Sequence, residues 1–198
     1  MQKQSARGLS LVVVLILMSA IFLMAAFGAR LTLLGEKSSR NDRDRQLAFQ
    51  AAEAALSDAE MEIMGPNAAV NSRTCSFSSR SVSLFVEGCG NTTGDKGLCL
   101  NTTTEPLYKS INFEDTSTSR RYALLGEYTG GRNSGFATGT SALPAALPRY
   151  IVETLSYKRP RAKPDEQAFL VTAKGYGLNA RTQVMLQSVI YKPASAGC

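Results

Sequence analysis

The chain has 198 residues and a formal net charge of +6, from 22 basic and 16 acidic side chains, with four Cys, no Trp and no His. That length supports one domain with a proper core and hardly two. Without His there is no Ser-His-Asp triad, no Cys-His pair and no His-containing zinc site, which removes most hydrolytic and metal chemistry at once.

In chain order, Leu9 to Phe27 is a run of 19 residues broken only by Ser10 and Ser19. As a helix it nearly spans the ~30 Å of a hydrocarbon core. Lys3 and Arg7 precede the run and Arg30 is the first charge after it. This bias predicts a cytoplasmic N-terminus, a single membrane pass and an exported remainder. Three readings fit the run. It is a secretory signal cut before Ala29, although 19 residues is long for such a segment; it is a plain anchor; or Gly8, between the basic leader and the apolar run, marks a processing site.

Leu31 to Met64 has no Pro and only Gly35 as an interior breaker. Phe49, Ala52, Leu56, Ala59 and Ile63 recur at helical spacing and predict one apolar stripe that packs on a sheet. Gly65-Pro66 then stops the helix. The reading is therefore one helix from Leu9 to Met64, ~84 Å long. Residues 9–30 lie in membrane or filament, 31–64 form the amphipathic half, and the charged patch Arg40–Arg45 lies in water or between subunits.

Residues 65–198 read as an exported, β-rich globular domain. Candidate strands are Val82–Val86, Tyr122–Tyr128, Tyr150–Tyr157, Ala168–Lys174 and Gln183–Tyr191, the last two joined as a hairpin through 175–180. The fold class is α+β, a long N-terminal helix on a mainly antiparallel sheet, with irregular loops from 67 to 120. Cys75, Cys89, Cys99 and Cys198 all follow the apolar run, which favours disulfides, and three pairings are open. Cys89 and Cys99 could close a small ring, leaving Cys75 and Cys198 to staple the C-terminus to the loop after the helix.

The remaining signals are weak. Asn91-Thr92-Thr93 and Asn101-Thr102-Thr103 match a glycosylation sequon but read as ordinary loop positions. Arg120-Arg121 and Lys158–Lys163 are basic clusters; the second could hold DNA phosphates or an acidic partner, though a solvated loop is the plainer reading. Asp95 alone is too little for calcium. There is no phosphate loop, dinucleotide turn or paired acid, so no cofactor, no metal and no enzymatic activity is expected.

The basic leader ending in Gly8, followed by Leu9-Ser10-Leu11, resembles the prepilin leader of type IV pilins and type II secretion pseudopilins. That resemblance implies that residues 1–8 are a leader, that a prepilin peptidase cuts between Gly8 and Leu9, and that Leu9 is N-methylated. The stretch Arg43–Leu56 resembles the signature after the membrane helix in the PilX family of minor pilins. Pro148–Glu153, Phe169–Gly175 and Thr182–Ser188 resemble strands of the same family, in the same order. By this resemblance the fold is type IV pilin-like. Val13 occupies the position where most pilins carry Glu, a lack shared by PilX-like pilins and K-type tip pseudopilins.

The resemblance implies a minor pilin in a complex that primes the pilus, sits at its tip and supports adhesion and twitching motility. Its partners would be other minor pilins, the major pilin and a PilY-type adhesin. The alternatives are a K-type type II secretion pseudopilin and a secreted or anchored binding domain unrelated to pili.

Overall fold

The expected helix forms as a single element, α1, Leu9–Met64, in a computed structural model that describes residues 9–65, 73–77, 82–102, 105–130, 135–139, 142–155 and 166–193. The chain divides into two compact units, Met1–Arg43 and Asp44–Cys198. In the first, the apolar side chains from Leu11 to Leu34 are exposed. The hydroxyls of Ser19 and Thr32 donate to the carbonyls of Leu15 (2.7 Å) and Gly28 (3.0 Å). Both polar groups are thus satisfied inside the helix, as an apolar environment requires.

In the second unit, α1 lays an alanine-rich face on the sheet: Ala48, Ala51, Ala52, Ala55, Ala59 and Ile63 are buried. The expected stripe is shifted here. Ala52, Ala59 and Ile63 belong to it and Leu56 is half-buried, but Phe49 is 42% exposed. The reason is closeness. A Cβ on Gly175 of the sheet would fall on the backbone of Ala48 and Ala52, so the contact line admits only small side chains. Apolar size pointed to the flank of the face, whereas the alanines mark its centre.

The sheet has six strands: β1 Val86–Glu87, β2 Leu98–Leu100, β3 Ala123–Leu124, β4 Arg149–Thr154, β5 Glu166–Tyr176 and β6 Gln183–Pro193. Their order is β1-β2-β4-β5-β6, with β3 also paired to β4. The long strands are antiparallel, with Val152 opposite Val171 and Val171 opposite Ser188. β1, β2 and β4 run parallel, so the sheet is mixed rather than wholly antiparallel.

Three expectations change. The strand expected over Tyr122–Tyr128 contracts to Ala123–Leu124, because Gly126 (φ 75°) turns the chain. The one expected over Val82–Val86 contributes only its last residue, extended by Glu87. Within the region expected to be irregular, Arg73–Ser76 forms the short helix α2, Leu98–Leu100 pairs as β2, and Leu107–Lys109 is a 3₁₀ turn.

β4 is buried along its whole length, because both faces of the sheet are covered. On one face Tyr150, Val152, Phe169, Val171 and Ala173 pack against α1, Leu98 and the rings of Phe77 and Phe85. Phe77 meets Phe169 edge-on at 5.3 Å between centroids. On the other face Ile151 and Cys99 lie under Leu107, Ile111, Phe113 and Tyr122. The Cys89–Cys99 disulfide ties the chain after β1 to β2. Cys75 is also disulfide-bonded. Cys198 lies outside the described residues.

Candidate functional site

α1 presents two surfaces. Along Leu11–Phe27 it is an apolar, largely exposed helix with no charged residue, and Val13 sits within it, 46% exposed. Such a surface is suited to lipid or to other apolar helices rather than to water. Leu9 is the first residue of the helix, and Gly8 lies outside the described residues. Of the charged patch Arg40–Arg45, all but half-buried Asp44 are exposed, and Arg40 pairs with Glu36 at 2.6 Å.

On the Asp44–Met64 part, polar side chains fasten the helix to the globular unit. Asp44 Oδ1 accepts from the Leu178 N–H in the β5–β6 loop. Asp58 accepts from the Gly126 N–H at 2.7 Å and from the Thr129 hydroxyl. Glu62, 3% exposed, is ion-paired with Arg73 and accepts from the Tyr150 hydroxyl at 2.6 Å. The Arg73 guanidinium also stacks over the Tyr128 ring at 3.7 Å. Burial pushes the Tyr128 hydroxyl up to about 12 and the Tyr150 hydroxyl well above its ordinary value; the adjacent Glu62 adds to the second shift. Both tyrosines therefore act as neutral donors.

The far face carries a second polar set. Arg149 lies between the rings of Tyr122 and Tyr176, 4.9 Å from each centroid. Glu114 accepts from Lys174 (2.8 Å), Tyr176 (2.9 Å) and Gln183 (3.1 Å). Burial alone would raise Glu114, but those hydrogen bonds and the charges of Lys174 and Arg149 outweigh it and hold its carboxyl below the ordinary range. Glu153 is fully buried, registered beside Cys99, and accepts from Asn101 Nδ2 and the Leu107 N–H, both at 3.2 Å. It pins the start of the covering segment to the sheet. Its Oε1 has no hydrogen-bond partner.

Burial pushes Glu153 above its ordinary value, against hydrogen bonds from Leu107, Asn101 and Tyr108 that pull it down. A carboxyl whose pKa is higher folded than unfolded holds its proton more tightly in the native state. Its contribution to stability is complete below the unfolded value and is lost as pH rises through the folded one. Glu153→Gln keeps an acceptor and removes the titration. Its melting temperature, relative to the unaltered chain, should therefore climb between pH 4.5 and neutrality. Melts across that range check this, and a relative stability independent of pH counts against it.

Each of these carboxylates is committed to a partner within the fold, so their chemistry is fastening. A cleft beside Glu62, lined by Met61, Thr74, Tyr128 and Thr129, presents no paired acids. Among the described residues no group of three or more His, Cys, Asp or Glu could hold a metal ion. Of the basic clusters, Arg120 pairs with Glu127 at 2.6 Å and Arg121 is exposed, while Lys158–Lys163 lie outside the described residues. Asp58, Glu62, Arg73 and Glu153 were not legible as site residues. The usable signal was Asp58 and Glu62, four apart on a helix and each beside an alanine or isoleucine of the buried face.

Comparison with known families gives two matches. Residues 7–57 match the family described as PilX N-terminal. Residues 95–192 match the one described as type IV pilus assembly protein PilX C-term. No curated protein and no solved structure matches the chain.

Proposed function

Because the chain belongs to the PilX family of type IV pilus assembly proteins, we propose that it is a minor pilin of a complex that primes pilus assembly and stays at the tip. The family is a structural component of the pilus, anchored by its apolar helix and assembled with other pilus components. On this reading a prepilin peptidase cuts between Gly8 and Leu9 and methylates Leu9. α1 then passes from the inner membrane into the filament. Val13 makes no ion pair with a neighbouring N-terminus, which suits a subunit that need not fix the register of one above it. Adhesion and twitching motility follow from the pili it primes, with a PilY-type protein as the tip partner.

The observation that carries this reading is the pair of family matches, one at each end of the chain in order, joined to a 56-residue helix whose first half is apolar and exposed. Deleting the gene should remove most surface pili and abolish twitching, counted by electron microscopy and stab assay. The purified chain should begin at N-methylated Leu9 by mass spectrometry. A chain beginning at Ala29 with normal piliation in the deletion strain rejects the assembly role.

A further inference from the structure

β6 closes one side of the sheet. Among the described residues it pairs with β5 alone, which leaves the outer backbone groups of an 11-residue strand without a strand partner. Proteins usually blunt such edges with brevity, charge, proline or a bulge. The opposite edge follows that rule, since β1 is two residues long and ends in Glu87. β6 does not. From Gln183 to Tyr191 it has no charged residue and no proline, and its register with β5 runs without a bulge.

The edge is also held rigidly. Gly175 lies under the backbone of Ala48 and Ala52, Leu178 is bound by Asp44, and Lys192 Nζ donates to the Ile63 carbonyl at 2.5 Å. An incoming strand would find it already ordered. Asp58, bound to Gly126 and Thr129, faces the β3 side of α1. Phe49 lies on the other side of the helix, towards β6, at nine residues' spacing or two and a half turns. There it is 42% exposed, next to half-buried Leu56. A strand added to β6 would lie below that flank and cover both side chains.

We infer that the β6 edge takes an extended, uncharged segment of another pilus subunit by strand addition; this rests on the family reading above. Strand addition draws affinity from main-chain hydrogen bonds and specificity from alternate side chains. The edge offers no charge between Gln183 and Tyr191, so a charged strand centre would lose water and gain no counter-charge. A second copy of this chain is a poorer occupant. Its β1 is too short, and β6 pairing with itself about a two-fold axis is antiparallel. Asp44 meets the β5–β6 loop that leads into β6 and Ile63 meets the end of β6, so α1 runs in the direction of β6 there. Self-pairing would oppose the two α1 segments, whereas pilus subunits enter one membrane from the same side.

The test uses the full-length chain in a strain whose piliation depends on it. A photo-crosslinking residue replaces exposed Met185 on β6 or, as control, exposed Val86 on the opposite edge, each with and without Ser188→Lys. From Met185 the crosslink should reach another pilus subunit. Ser188→Lys should reduce that product roughly ten-fold or more, because the lysine puts an unpaired charge where an uncharged strand would pack. It should also lower piliation while leaving the melting temperature and the Cys89–Cys99 bond unchanged. The inference is overturned if the lysine leaves the product unaltered, if the product is a second copy of this chain, or if Met185 reaches no pilus subunit. Normal piliation without the gene would fail the family-based reading; piliation that needs the chain but ignores Ser188→Lys fails only the edge.

Discussion

Gly175→Ala should lower the melting temperature by about 4–8 °C, a loss of about 2 kcal/mol for a unit of this size. The added Cβ would fall on the Ala48 carbonyl oxygen and the Ala52 amide nitrogen and lie 3.0 Å from the Ala51 carbonyl carbon. All three are helix backbone, which cannot swing aside as a side chain would. Relief requires α1 to lift from β5, which opens the layer built on Ala55, Ala59, Phe169 and Val171. Overpacking of this kind costs about 1–3 kcal/mol, and the entropy lost from the unfolded chain when Gly becomes Ala returns roughly 0.5–1. Thermal melts of the detergent-solubilised chain decide it. An unchanged melting temperature would mean that the helix does not rest on the strand this closely.

Arg73→Met should cost more, about 3–5 kcal/mol, or on the order of 10 °C. The substitution keeps much of the apolar stem and leaves the Glu62 carboxylate, 3% exposed, with only the Tyr150 hydroxyl for support among the described residues. The ring stacking of Arg73 on Tyr128 is lost as well. The penalty is the stranded charge rather than the value of the pair. Glu62→Gln combined with Arg73→Met should therefore recover a large part of the loss, and a double-mutant cycle measures the coupling. A loss below about 1 kcal/mol for Arg73→Met alone would place the pair among ordinary surface ion pairs and reject the buried role.

These two sites show what was readable before the structure. The limits of α1 were legible because a long apolar run, the absence of proline and a Gly65-Pro66 stop act locally. The β5–β6 hairpin was legible because alternation persists over two long strands. β1, β2 and β3 are two or three residues long and owe their strand character to β4, so no local pattern could mark them. Phe49 misled because residue size suggests burial, whereas the approach of Gly175 demands alanine. Glu62 and Asp58 look like solvent-facing helix acids until Arg73, Tyr150 and the turn at Gly126 are brought to them from distant parts of the chain. The family resemblance needed none of these contacts, because its motifs lie in the helix and the long strands.

The alignment of α1 with β6 also sets how the globular unit would bear load. Were this chain pulled on as a pilus subunit, tension entering the unit along the chain would arrive at Asp44. Asp44 is bound at the β5–β6 loop, which leads into β6, and Ile63 at the end of β6. A pull along α1 would load the alanine face in shear, so that the contacts from Ala48 to Ile63 would resist together instead of unzipping one after another. Resistance to a steady force is governed by the rate of unfolding rather than by equilibrium stability. A helix seated on glycine, with no bulky side chain to act as a wedge, is suited to carry it.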